Sequence, residues 1–276
     1  MARRPKSVRF IALLTLCLSA LAAFDAFAQA IAFRPWLGLA MVGDAAGRGA
    51  RVGHVVRSSP AERAGVREGD RVTRVARTNI VRPEDVVRAV SGLMVGEVVE
   101  VAFLRAGKEQ TARATLAPFP SSDVLMRMEL VGTVAPDWSD VDGVSGTFPD
   151  SIGALRGRVV ILDFWATWCA PCRIVAPKLS ALQSRYGAQG LTVLGLSTED
   201  MEKVAVFARR TAMAYAIGVD KNAKTTQAYG VGSLPTLVVI DRRGVVRDVS
   251  IGYDLSEDAA LDAAIRGLLA EPGLPH

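Results

Sequence analysis

Histidine and cysteine are scarce. The 276 residues hold two histidines, His54 and His276, and three cysteines, Cys17, Cys169 and Cys172. A structural zinc site needs four ligands. Beyond Cys169 and Cys172 the chain offers only Cys17 near the N-terminus and two distant histidines, so zinc is a poor explanation of the Cys-x-x-Cys spacing, and no metal or other cofactor is expected. Gly-x-Ser-x-Gly is absent and His54 has no recognisable triad partners, which argues against a serine protease. No block of basic residues or interleaved aromatics suggests a nucleic-acid surface. Internal repeats and low-complexity tracts are also missing.

What is present begins with an export signal. Arg3, Arg4, Lys6 and Arg9 form a basic head, Phe10 to Phe24 is an almost wholly apolar run, and Ala26-Phe27-Ala28 is a small-x-small cleavage site. The run is short for a membrane span, so residues 1–28 are expected to be removed and the mature protein to be periplasmic or secreted. An uncleaved signal, anchoring the protein to the outer face of the inner membrane, is the alternative. Cleavage removes Cys17 and lowers the formal charge from +5, because losing Arg3, Arg4, Lys6, Arg9 and Asp25 leaves 29 basic and 27 acidic residues. The length and the 50% hydrophobic content suffice for two cores.

Two segments of different character follow. In the first, residues 33–117, Val-rich strand candidates at Val52–Val56, Asp70–Val75, Val98–Leu104 and Thr111–Leu116 are broken by glycines and charged turns. Pro83 to Ser91 reads as a helix with proline in its first turn and Val86, Val87 and Val90 on one face. Residues 118–130, opening on Pro118 to Ser122, are read as a linker. From 131 to 272, strands at Val159–Phe164, Thr192–Leu196, Ala216–Val219, Thr236–Ile240 and Val245–Ser250 alternate with helices at 170–187, 200–212, 223–229 and 256–270. That alternation predicts an α/β fold, a central sheet flanked by helices, preceded by a small β-rich domain. Val159 to Phe164 is apolar on both faces except at Asp163, as a central buried strand should be. Ser256, Glu257 and Asp258 suit the start of the last helix.

After cleavage only Cys169 and Cys172 remain, in a compartment where disulfides form. A staple between them closes a loop of four residues, and so short a loop gains little stability. Trp168-Cys169-Ala170-Pro171-Cys172 instead stands where the central strand ends and a helix begins. The unpaired N–H groups and partial positive charge of a helix N-terminus stabilise a thiolate, so Cys169 is the expected nucleophile, with a lowered pKa. Cys172, one turn on, is placed to attack a mixed disulfide on Cys169 and release the reduced substrate. Pro171 suits the first turn, where its missing N–H costs nothing.

With these residues assembled, the C-terminal segment resembles the thioredoxin superfamily, especially its exported TlpA-like members. The matching run is Arg158-Val-Val-Ile-Leu-Asp-Phe-Trp-Ala-Thr-Trp-Cys-Ala-Pro-Cys-Arg173, with Ala135-Pro136-Asp137 upstream. The resemblance implies that Asp163 is a buried proton acceptor for the resolving cysteine, and desolvation should raise its pKa. It implies that Ser233-Leu234-Pro235-Thr236 is the loop opposite the cysteines, with Pro235 cis and the Leu234 backbone pairing with substrate. Trp168, Ala170 and Pro171 would complete the substrate surface, Trp165 is either core or surface, and Pro177 is a tolerated kink. The haem-pathway branch carries an acid where this chain has Val175, which favours a broader reductase of protein disulfides. Peroxiredoxins share the Ala-Pro-Asp opening, but their peroxide-attacking cysteine does not stand in a Trp-Cys-x-x-Cys motif.

Trp36-Leu37-Gly38-Leu39 and Ser59-Pro60-Ala61-Glu62-Arg63-Ala64-Gly65-Val66-Arg67-Glu68-Gly69-Asp70 resemble a bacterial PDZ domain. This implies a peptide groove at Leu37, Gly38 and Leu39, where a partner's C-terminus adds as a strand. The expected activity is thiol-disulfide exchange on protein substrates, fed by an electron donor that the sequence does not name. The competing expectation is a non-enzymatic PDZ adaptor with a vestigial redox site.

Overall fold

The computed structural model describes residues 34–43, 50–254 and 258–272. The signal segment, Cys17, Ser256, Glu257 and His276 lie outside them. The chain divides into two compact units, residues 1–121 and 122–276.

The first unit contains β1 (Pro35–Trp36), β2 (Leu39–Gly43), β3 (Ala50–Val55), α1 (Pro60–Arg63), β4 (Arg71–Val75), β5 (Thr78–Asn79), α2 (Pro83–Ser91), β6 (Val98–Arg105), β7 (Lys108–Thr115) and β8 (Ala117–Pro118). Strands β2-β3-β4-β6-β7 form an antiparallel sheet with β2 at one edge, and β1 pairs separately with β8. Period-2 alternation sends Val99, Val101 and Phe103 of β6 into a core with Val52, Val72, Val75 and Leu116. On α2 the buried apolar residues are Val86, Ala89 and Val90, spaced i, i+3, i+4, whereas Val87 is exposed. The expected apolar face is therefore rotated, with Ala89 where Val87 was placed.

The second unit comprises α3 (Ser122–Leu130), β9 (Val141–Ser145), β10 (Val159–Phe164), α4 (Ala170–Tyr186), β11 (Leu191–Ser197), α5 (Met201–Arg210), β12 (Ala216–Asp220), α6 (Lys224–Ala228), β13 (Thr236–Ile240), β14 (Val246–Ile251) and α7 (Asp258–Ala270). Its mixed sheet runs β14-β13-β10-β11-β12-β9, with β10, β11 and β12 parallel and the other neighbours antiparallel. All six residues of β10 are buried, because helices cover both faces. Val159, Ile161 and Trp165 pack with Cys172, Val175 and Leu179 of α4 and with Ile265 of α7. Val160, Leu162 and Phe164 face the other way, toward Met126, Leu130 and Tyr229.

Residues 118–130 do not form the expected linker. Ala117–Pro118 is strand β8, and Ser122–Leu130 is a helix whose Met126 and Leu130 are buried in the second core. Arg127 adds an ion pair with Asp248 of β14 at 2.9 Å. The helix lacks helical apolar periodicity strong enough to stand out, so only its tertiary packing makes it visible. Strand β9 was likewise not expected, since Val-Asp-Gly-Val-Ser is short and polar.

Candidate active site

Strand β10 delivers the chain to Trp165, and after a short loop α4 begins with Cys169 as its cap. Cys169 and Cys172 are joined as a disulfide, and the Cys172 N–H donates to Cys169 Sγ at 3.2 Å. That sulfur therefore occupies the position where a helix caps its own first turn. The pair is 3–4% exposed, while Trp168 beside it is 68% exposed, and Ala170 and Pro171 also face solvent.

Opposite stands Ser233-Leu234-Pro235-Thr236, with a cis peptide bond between Leu234 and Pro235. Leu234 packs against the cluster that holds both cysteines. Trp168, Ser233 and Leu234 line one groove of about 280 Å³ with Trp165, Leu196 and Val231. Trp165 is otherwise core, 2% exposed and stacked at a tilt on Phe207 with centroids 5.4 Å apart. Val175 is buried in the apolar cluster under the disulfide.

Asp163 lies beneath the cysteines. Alternation along β10 places its side chain on the same face as Ile161 and Trp165, which pack with Cys172. Burial pushes its carboxyl up to about 7, against the opposing effect of one hydrogen bond, from the Tyr215 hydroxyl to Oδ2 at 3.0 Å. Asp163 Oδ1 has no hydrogen-bond partner among the described residues.

Two supports of the site carry no sequence signal. Tyr215 is 52 residues from Asp163. Glu199, which follows β11, accepts from the Thr167 N–H and from Thr167 Oγ1 at 2.9 Å, and also pairs with Lys203. Arg173 donates to the Thr167 carbonyl at 3.0 Å, so the loop before Trp168 is held from α4 and from the loop that follows β11. Burial raises the Glu199 carboxyl, but Lys203 and Thr167 outweigh it and hold the carboxyl below the usual range.

In the first unit Leu37, Gly38 and Leu39 line a groove of about 140 Å³ with Trp36, Val86 and Val90. Gly38 has φ 87°, and a Cβ there would meet the Ser59 side chain at 2.1 Å, so no other residue fits. Its carbonyl accepts from the Val56 N–H at 3.0 Å, and the Leu37 carbonyl accepts from the Ala61 N–H at 2.9 Å. Those bonds tie the loop to the Ser59-Pro60-Ala61 motif. Beside it β2 is an edge strand of the sheet, with no strand on its outer side among the described residues.

Comparison with known proteins agrees with both units. The AhpC/TSA family matches residues 131–249, and the PDZ domain matches residues 35–116. Thiol-disulfide oxidoreductase ResA of Geobacillus thermodenitrificans (strain NG80-2) is 37% identical over 131 residues, which span 46% of this chain and 73% of the relative. Thioredoxin-like protein YneN of Bacillus subtilis (strain 168) is 36% identical over 125 residues, 44% of this chain and 71% of its own. Among solved structures, a thiol:disulfide interchange protein DsbE of Chlorobium tepidum shares 30% identity at TM-score 0.47, covering 51% of this chain and 98% of its own. By the two sequence relatives and the matching families, the chain belongs to the thioredoxin-like thiol-disulfide oxidoreductases and carries a PDZ domain N-terminal to the redox domain.

Proposed function

We propose that this enzyme works outside the cytoplasm as a reductase of protein disulfides, with Cys169 as nucleophile, Cys172 as resolving thiol and Asp163 as proton acceptor. The observation that carries the reading is Cys169 Sγ in the capping position of α4, where the helix N-terminus favours the thiolate. The reduced Cys169 thiolate attacks a substrate disulfide, forming a mixed disulfide and releasing one substrate thiolate. Asp163 takes the proton of Cys172, and the resulting thiolate attacks Cys169 Sγ. The second substrate thiol leaves, the Cys169–Cys172 disulfide closes, and two electrons have passed to the substrate. An external dithiol donor restores the reduced pair. Trp168 and Leu234 flank the groove that would seat the substrate segment.

Equilibration of the full mature protein in glutathione or dithiothreitol buffers, with thiol trapping, tests the direction. The expected potential is nearer about −270 mV than about −120 mV. A value at the oxidising end would recast the enzyme as a disulfide donor.

The groove of Leu37, Gly38 and Leu39 is assigned to partner or substrate C-termini. The outer edge of β2 supplies main-chain hydrogen bonds, and the apolar groove floor accepts a terminal aliphatic side chain. A fluorescent peptide with a free carboxylate after an aliphatic residue should bind, and its amidated form should bind at least about tenfold more weakly. Equal binding of the two would remove the C-terminus from the recognition.

A further inference from the structure

Among the described residues the buried Asp163 carboxylate is served by a single hydroxyl. We propose that Tyr215 is a positioning residue for the proton transfer: it fixes Asp163 through Oδ2, so that Oδ1 is the oxygen that exchanges a proton with Cys172. The proposal rests on Asp163 being the proton acceptor.

Asp163 pairs in register with Gly195 of β11 and Leu237 of β13, and neither can bond to it. On the same face Trp165 Nε1 has no hydrogen-bond partner among the described residues, and three helices supply apolar packing. Helix α4 contributes Cys172, Val175, Ala176 and Leu179; α5 contributes Val204 and Ala208; α7 contributes Ile265 and Leu268. Tyr215, itself 6% exposed, is the one side chain that hydrogen-bonds Asp163 among the described residues.

Gly195 makes the approach possible. A Cβ there would stand 3.0 Å from Trp165 Nε1 and 3.1 Å from Tyr215 Cε2, so any side chain would press on the ring that holds Asp163. Tyr215 reaches this point from the outside, since it also lines a surface cleft of about 500 Å³ with Thr192, Gln183 and Ala216.

The two oxygens thereby take different roles. Tyr215 keeps its own proton, because burial and the nearby carboxylate raise its hydroxyl well above its ordinary value. It donates a hydrogen bond in every state and is not a proton source. Oδ1, without a partner among the described residues, is left to take the Cys172 proton and to return it when the disulfide is reduced again.

Tyr215→Phe keeps the ring and removes the bond. The Asp163 anion then loses its one donor, so the acidic limb of the rate–pH profile should move upward by about one pH unit. Rates on that limb fall about tenfold and recover at alkaline pH. Asp163→Asn should abolish the limb, and Tyr215→Phe in the Asp163→Asn background should change nothing further. If Asp163→Asn leaves the limb in place, the proton-acceptor assignment itself fails. If Asp163→Asn removes it but Tyr215→Phe leaves it unshifted in a protein of wild-type circular dichroism, the role of Tyr215 alone is overturned.

Discussion

Cys172→Ser should leave the enzyme covalently joined to its substrates. Attack by Cys169 needs only its own thiolate, and the helix N-terminus that stabilises it is untouched by the substitution. Release needs a second sulfur next to the mixed disulfide, and Cys172 is that sulfur, 4% exposed and already bonded to Cys169 in the oxidised state. A tethered nucleophile acts at effective concentrations far above any free thiol in solution. Losing it should slow multiple turnover by at least about a thousandfold. On non-reducing gels Cys172→Ser should show substrate-sized adducts that dithiothreitol collapses. Cys169→Ser should show neither adducts nor turnover, because the remaining thiol lacks the capping position at the N-terminus of α4 that favours the thiolate. Adduct formation by Cys169→Ser with none by Cys172→Ser would exchange the two roles.

Asp163→Asn should make the oxidised protein more stable at neutral pH, although it costs proton transfer. The carboxyl has a folded-state pKa of about 7 and an ordinary value of 3.8. With the folded value raised, the folded state holds the proton more tightly than the unfolded chain. The favourable contribution is complete below pH 4, falls as pH rises, and is gone above about pH 7, where ionisation in the core opposes folding. Three units at about 1.4 kcal/mol each set the size of the change near 4 kcal/mol. Urea unfolding of the oxidised wild type and Asp163→Asn should therefore diverge by about that amount between acidic and mildly alkaline pH, with the variant gaining. A constant difference across this range would mean that Asp163 titrates normally. Using the oxidised form keeps the cysteines from titrating in the same interval.

Much of the architecture can be read along the chain because it depends on neighbours in sequence. Val159–Phe164 announces a strand buried on both faces, and Pro83–Ser91 carries its own start signal, so both match the structure residue for residue. The disulfide site is equally local, since strand end, Trp168, Cys169 and Cys172 are consecutive. What escapes is whatever long-range packing creates. Ser122–Leu130 reads as a tether until Met126 and Leu130 find the second core. Val141–Ser145 is too polar to announce a strand, and it gains order by pairing with β12. Tyr215 and Glu199 reach Asp163 and Thr167 across 52 and 32 residues, and no spacing rule joins them.

The pairing of β1 with β8 has a consequence beyond the groove it borders. Pro35 lies opposite Pro118 and Trp36 opposite Ala117, with the Phe119 ring set edge-on to Trp36 and the Arg34 guanidinium over Phe119. The chain thus leaves the PDZ unit within one strand spacing of where it entered, roughly 5 Å. A module that closes on its own ends can be excised from a gene, or inserted into another, with only a short splice to repair. Such a unit is a cartridge that recombination can move between host enzymes without redesigning either fold.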